Sequence, residues 1–286
     1  NPELGEIWYN NTIGSLKAYR DIGGTWASGG NLGTGRSYLA GCGTQTAGLA
    51  AGGQTTVNVA LTEEYGGTSW TAGGALSTAR RGLGGMGTQT AGLVAGGYVT
   101  AASNATEEYG GTSWTAGGNM GTARYTFGQA GIQTAGLIFG GSLPPTQTLT
   151  EEYGGTSWTA GGNLATGRNN FSGTGTQAAG LGFGGTEVPG TVSSSTEEYN
   201  GTSWTAGGNL NTARFHAGGA GTQTAGLGFG GATSPPTSTT ATELYDGSSW
   251  STTSSMATAR RSLAGAGSQA AGLGFGGGGL TAPEEF

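Results

Sequence analysis

Six tryptophans, Trp26, Trp70, Trp114, Trp158, Trp204 and Trp250, stand 44, 44, 44, 46 and 46 residues apart, and the rest of the chain is set out against them. Each is followed ten residues later by an arginine: Arg36, Arg80, Arg124, Arg168, Arg214 and Arg260. Nine residues further stands a glutamine (Gln45, Gln89, Gln133, Gln177, Gln223, Gln269), and a Gly-Gly pair begins seven beyond that. A fixed period in the forties means stacked supersecondary units, none of which buries its apolar face alone. Residues 196–231, TEEYNGTSWTAGGNLNTARFHAGGAGTQTAGLGFGG, show the pattern most completely.

Composition without this period would point elsewhere. The 65 glycines and 7 prolines make up about a quarter of 286 residues, a share typical of low-complexity chains. Six regular units argue instead for one folded array, residues 24–286, preceded by a segment of different character, residues 1–23. In that segment Ile7 to Tyr9 and Leu16 to Tyr19 are short apolar runs separated by Asn10, Asn11, Thr12 and Gly14, a hairpin signal. It serves either as an irregular cap on the array, the expected role, or as a joint to a neighbouring protein.

Charge restricts the partners. The formal net charge is -6, with Lys17 the single lysine beside nine arginines, six of them at the repeat position. Phosphate binding needs several cations on one face, so no nucleic-acid partner is expected. No apolar run approaches 18 residues and no signal peptide opens the chain, so no membrane insertion is expected. Cys42 has no second cysteine to pair with, and His216 is the single histidine, so no metal site and no cofactor are expected. Cys42 reads as a small buried apolar residue.

Within a unit the period is two. Along TQTAGLGFGG, Ala225, Leu227 and Phe229 share one face of a strand and Gly226 and Gly228 the other. A bare glycine face lets a neighbouring sheet or ring approach the backbone. The following Gly-Gly pair supplies positive φ for a turn. TEEY is a further strand, Asn200-Gly201 reads as a two-residue hairpin turn, and Trp204 begins a short strand. TAGGNLNTAR then leads to a strand beginning near Arg214, giving four short strands per unit and almost no helix.

An arginine at the first strand, a second strand closing on Gly-Gly, a tyrosine twelve to fourteen residues on and a tryptophan five after that resemble the kelch motif. Tyr65, Tyr109, Tyr153, Tyr199 and Tyr245 keep the five-residue spacing; the first unit departs, with Tyr19 seven residues before Trp26. The resemblance implies an all-β, six-bladed kelch-type β-propeller with four antiparallel strands per blade, closed by pairing segments from the two ends of the chain. Residues 262–277 would supply two strands of the closing blade and residues 26–28 its outermost. Either residues 280–286, where Glu284-Glu285-Phe286 imitates Glu-Glu-Tyr, or residues 16–19 would supply the third; the former is expected.

The repeated residues have structural roles first. Tyrosine and tryptophan are expected between blades, each buried ring contributing on the order of 1.5 to 3 kcal/mol. The arginines are expected to pair with the repeated glutamates (Glu63, Glu64, Glu107, Glu108, Glu151, Glu152, Glu197, Glu198) rather than to form a cationic ring. Adjacent glutamates in a strand point to opposite faces and cannot flank one bond as acid and base, so they are expected as a repeated surface feature. Copper radical oxidases share the kelch-type propeller, but this chain lacks their several histidines. No catalytic residue and no enzyme are expected.

What differs between units is then the candidate site. The loops after Gly-Gly vary in length and composition, and so do the two positions after each repeat arginine, including Tyr38, Arg81, Tyr125, Asn169, Asn170, Phe215, His216 and Arg261. The kelch resemblance implies that both sets lie on one face, and variable loops on a rigid scaffold are where recognition sits; drift on an exposed rim is the alternative. GEIWYNNTIGSLKAY, followed by near-identical Gly/Thr/Ser/Asn-rich repeats, is similar to segments of tail-fibre and other virion appendage proteins of bacteriophages, marine phages above all. That implies a virion protein whose partners are other virion proteins, a host-surface glycan or a receptor, with homo-oligomerisation open. A secreted or cell-surface lectin or adhesin is the alternative, and a galactose-oxidase-like enzyme a distant third.

Overall fold

The computed structural model describes residues 7–10, 15–18 and 24–286 except 144–145, 189 and 235–236. Tyr19 and the remainder of residues 1–23 lie outside them, as do parts of three variable loops. Among the described residues there is no helix, and the fold is all-β with a repeated, propeller-like architecture.

Six sheets have four antiparallel strands each. In five of them the strands follow chain order: Ala40–Thr44, Ala47–Ala51, Thr62–Tyr65 and Trp70–Ala72 form one, and the sheets beginning at Gly84–Gly87, Gly128–Ile132, Ser172–Gly175 and Gly218–Thr222 repeat it. The sixth joins distant parts of the chain: Leu263–Ser268, Ala271–Gly276, Glu284–Glu285 and Ala27–Ser28. Glu285 pairs with Leu273 on one side and Ala27 on the other. The third position is thus filled by Glu284–Glu285, while Ser15–Ala18 pairs with Ile7–Asn10 in a hairpin of its own.

Two local expectations are corrected. The first strand of each four-stranded sheet starts three or four residues after the arginine, at Gly218 in the unit of Arg214 and at Leu263 in that of Arg260, because the residue two after each arginine adopts positive φ and cannot continue a strand. The turn between TEEY and tryptophan has four residues, not two. Tyr199 pairs with Trp204, the Asn200 N–H donates to the Ser203 carbonyl at 3.1 Å, and the Asn200 Oδ1 accepts from the Thr202 and Ser203 amides.

First strands of successive sheets lie against one another, and the strand Leu263–Ser268 lies against Ala40–Thr44. Glycine permits this approach: a Cβ on Gly85 would lie 2.9 Å from the Gly41 amide, and one on Gly265 only 2.3 Å from the Gly219 carbonyl oxygen. Behind them each second strand sends its large side chain toward the next sheet, so that Phe139 meets Trp204 at 4.5 Å and Phe275 meets Trp70 at 5.0 Å. These are the aromatic pairs expected of a repeat whose sheets are too short to bury a core alone.

Candidate functional site

The repeat arginines must be placed first, because six cations around an axis would themselves suggest an anion site. All six are buried, and each pairs with the first glutamate of a Glu-Glu pair or its equivalent. Arg80 meets Glu107 at 2.8 Å and Arg124 meets Glu151 at 2.9 Å; Arg168 pairs with Glu197, Arg214 with Glu243, Arg260 with Glu284 and Arg36 with Glu63. Burial pulls the Arg124 guanidinium down to about 10 and Glu151 opposes the shift, so the guanidinium stays charged at neutral pH.

These first glutamates are buried, which corrects the expectation of a surface feature. Their strands are covered on the face that points to the arginine. The second glutamate of each pair is held too: Glu108 accepts a hydrogen bond from the Tyr153 hydroxyl and Glu152 from Tyr199, both at 2.5 Å, and Glu64, Glu198 and Glu285 accept from Tyr109, Tyr245 and Tyr65. The repeat glutamines tie neighbouring sheets as well. Gln133 Nε2 donates to the Gly92 and Tyr109 carbonyls, and Gln45 does the same to Gly272 and Phe286.

The residues two after the arginines do something that no local pattern shows. Tyr38, Gly82, Thr126, Asn170, His216 and Ser262 all have φ between 51° and 62°. Each donates its N–H to the carbonyl of the corresponding residue one unit back, at 2.7–2.9 Å: Gly82 to Tyr38, Thr126 to Gly82, Asn170 to Thr126, His216 to Asn170, Ser262 to His216 and Tyr38 to Ser262. The six bonds run head to tail in a cycle, and the left-handed backbone is what turns each N–H along it.

Cavities lie on both sides of this cycle. Inside it a space of about 90 Å³ is collared by Leu39, Leu83, Phe127, Phe171, Ala217 and Leu263, one residue from each unit. Further along, a space of about 130 Å³ is lined by the first strands. Gln129 borders both spaces, standing where the other units have Gly41, Gly85, Gly173, Gly219 and Gly265. Outside the cycle a mouth of about 370 Å³ is lined by Tyr38, Gln54, Arg81, Gly82, Tyr125, Thr126, Ser142, Asn170 and His216.

Of the eight side chains expected from sequence, Tyr38, Arg81, Tyr125, Asn170 and His216 line this mouth. Asn169 supports it from behind, donating from Nδ2 to the Ser142 hydroxyl at 2.8 Å. Phe215 is only 9% exposed and packs against the His216 ring, with centroids 5.0 Å apart. Arg261 is not among the lining residues; its charge adds to burial in pushing the His216 imidazole down to about 4, so His216 is neutral at physiological pH. His216 Nδ1 lies 3.3 Å from the Ser262 hydroxyl, and its Nε2 is buried without a partner.

Gln54 and Ser142 belong to the mouth but were not singled out by sequence. They enter because each variable loop bridges back to the residue after its arginine: Ser37 pairs with Gln54, Arg81 with Tyr98, Tyr125 with Ser142, Asn169 with Thr186 and Phe215 with Ala232. The constant offset of 17 residues, measured from each repeat arginine's neighbour, is a signal that could have found them.

Cys42 is buried, and burial pushes its thiol up to about 12. No group of three or more metal-ligating side chains occurs among the described residues. No protein-family model matches the chain, and no curated protein matches it.

Proposed function

We propose that the chain is a closed six-bladed β-propeller of the kelch type that acts, without catalysis, as the recognition module of a virion appendage, binding a host-surface saccharide or a neighbouring virion protein at the axial mouth. Closure is supported by the sixth sheet, which takes strands from distant parts of the chain, and by the cycle of six backbone hydrogen bonds. A binding role is favoured over chemistry because the repeated carboxylates are already engaged by arginine, tyrosine or backbone amides. The virion context rests on the resemblance of residues 5–19 and on the near-identity of the units.

One observation carries the choice of face: five of the positions that differ between units, Tyr38, Arg81, Tyr125, Asn170 and His216, line one cavity, while what repeats is committed to holding the sheets together. Its wall offers phenol rings for stacking on sugar faces, and amides and hydroxyls that both donate and accept. Tyr125→Ala combined with Asn170→Gly, which keeps the positive φ that Gly82 adopts at the equivalent position, should abolish binding to host cells or to a glycan array with little change in the melting temperature. Thr44→Ala combined with Thr222→Ala, at the other ends of their first strands, should leave binding intact. The reverse pattern would put recognition on the opposite face.

A further inference from the structure

We infer that the mouth takes a saccharide bearing a single carboxylate, with Arg81 as the group that pairs it; this deepens the reading of the mouth as a recognition site and depends on it. The argument starts from counterions. Every repeat arginine has a glutamate within ion-pair distance, whereas among the described residues neither Arg81 nor Arg261, each the neighbour of one of them, has a carboxylate partner, and of the two Arg81 is the one that lines the mouth. Its Nη1 donates to a neutral acceptor, Asn58 Oδ1, at 3.1 Å, and its guanidinium carbon lies 4.7 Å from the centre of the Tyr98 ring.

Those contacts hold the guanidinium rather than neutralise it. Asn58 is itself fixed, its Nδ2 donating to the Tyr98 and Val99 carbonyls at 3.0 Å each, and Tyr98 meets Tyr125 edge-on at 5.2 Å. A guanidinium has five N–H donors in a planar fork matched to a carboxylate, and clamping it in advance removes much of the ordering cost of binding. No acidic side chain lines the mouth, in a chain whose net charge is -6. One cation suits one negative charge; a phosphate, with a charge of about −1.5 to −2, calls for several. Around Arg81 the remaining groups are neutral hydrogen-bonding partners for hydroxyls, which is the chemistry of an acidic sugar.

The test is an array of matched saccharides that differ only in one carboxylate, such as the methyl glycosides of galacturonate and galactose, followed by titration calorimetry of the intact chain. The acidic member of a pair should bind more tightly, and its affinity should fall with added salt while the neutral member's does not. Arg81→Gln should cost about 10- to 100-fold for the acidic ligand and nothing for the neutral one. Asn58→Ala, which frees the guanidinium but keeps its charge, should weaken the acidic ligand less and serves as the check should Arg81→Gln fail to fold. If acidic and neutral members bind equally and Arg81→Gln changes neither, the carboxylate inference falls and the mouth stands. If neither class binds anywhere on the array, the inference falls together with the saccharide reading of the mouth, and a neighbouring virion protein is left as its partner.

Discussion

At the scale of single residues, burial decides what each repeated polar group can be. Tyr109, Tyr153, Tyr199 and Tyr245 are fully covered, and burial, then the hydrogen bond each donates to a glutamate of the preceding sheet, pushes their phenols up to about 12. A pKa raised above the ordinary value of 10 means that the folded state holds its proton more tightly than the unfolded chain does. The stabilisation is therefore complete below pH 10 and is lost as pH rises through about 12. Absorbance titration of phenolate should show this group ionising only as the fold is lost. Ionisation of all tyrosines near pH 10 with the fold intact would contradict it.

Between elements, the contact of the fifth sheet with the sixth departs from the other five, and its departures answer one another. Phe286 stands where the other units have tyrosine and has no hydroxyl to donate; Leu244 stands where the others have the accepting glutamate, and the two share one apolar cluster. Thr253 replaces a glycine at which, in the other units, a Cβ would come within 2.6–2.8 Å of the tyrosine oxygen. Leu244→Glu alone should destabilise the protein by about 2 kcal/mol or more, since a carboxylate would be buried without a donor. Leu244→Glu with Phe286→Tyr and Thr253→Gly, the last clearing the space the hydroxyl needs, should recover most of that, read as a favourable coupling between Leu244→Glu and the Phe286→Tyr/Thr253→Gly pair in a mutant cycle by urea denaturation. The contact of the sixth sheet with the first shows a second, uncompensated departure: Pro283 occupies the place of the threonine that accepts from an indole elsewhere, as Thr106 does from Trp158, and the Trp70 Nε1 is left without a partner.

For the molecule as a whole, the proposed closure makes a short segment answerable for every sheet. Removing residues 280–286 would strip Arg260 of Glu284, Gln45 of the Phe286 carbonyl and Trp26 of its ring contact with Phe286. Breaking one buried ion pair costs about 3 to 5 kcal/mol, which in a chain of this size lowers the melting temperature by roughly 5 to 8 °C. Calorimetry should show one transition moving as a unit. A second, separate transition, with most of the chain unfolding at its original temperature, would show that the array does not depend on this joint.

The spacing of tryptophan, arginine and glutamine was enough to determine the number of units, the four short strands in each and the arginine–glutamate pairing, because each follows from period and from the cost of an unpaired buried charge. The same text marked Tyr38, Arg81, Tyr125, Asn170 and His216 as candidates, since they differ where their neighbours repeat. It could not say that the second glutamate serves a tyrosine 45 residues away, that Leu244 answers Phe286, or that Asn58 holds Arg81. Those partners belong to different sheets or to loops of different length, and their meeting depends on how successive sheets stack against one another. The cycle of positive-φ residues is the clearest case: Tyr38, Thr126 and Ser262 are poor local candidates for a left-handed backbone, unlike Asn170 and His216, and the hydrogen bonds offered by the neighbouring units hold them there.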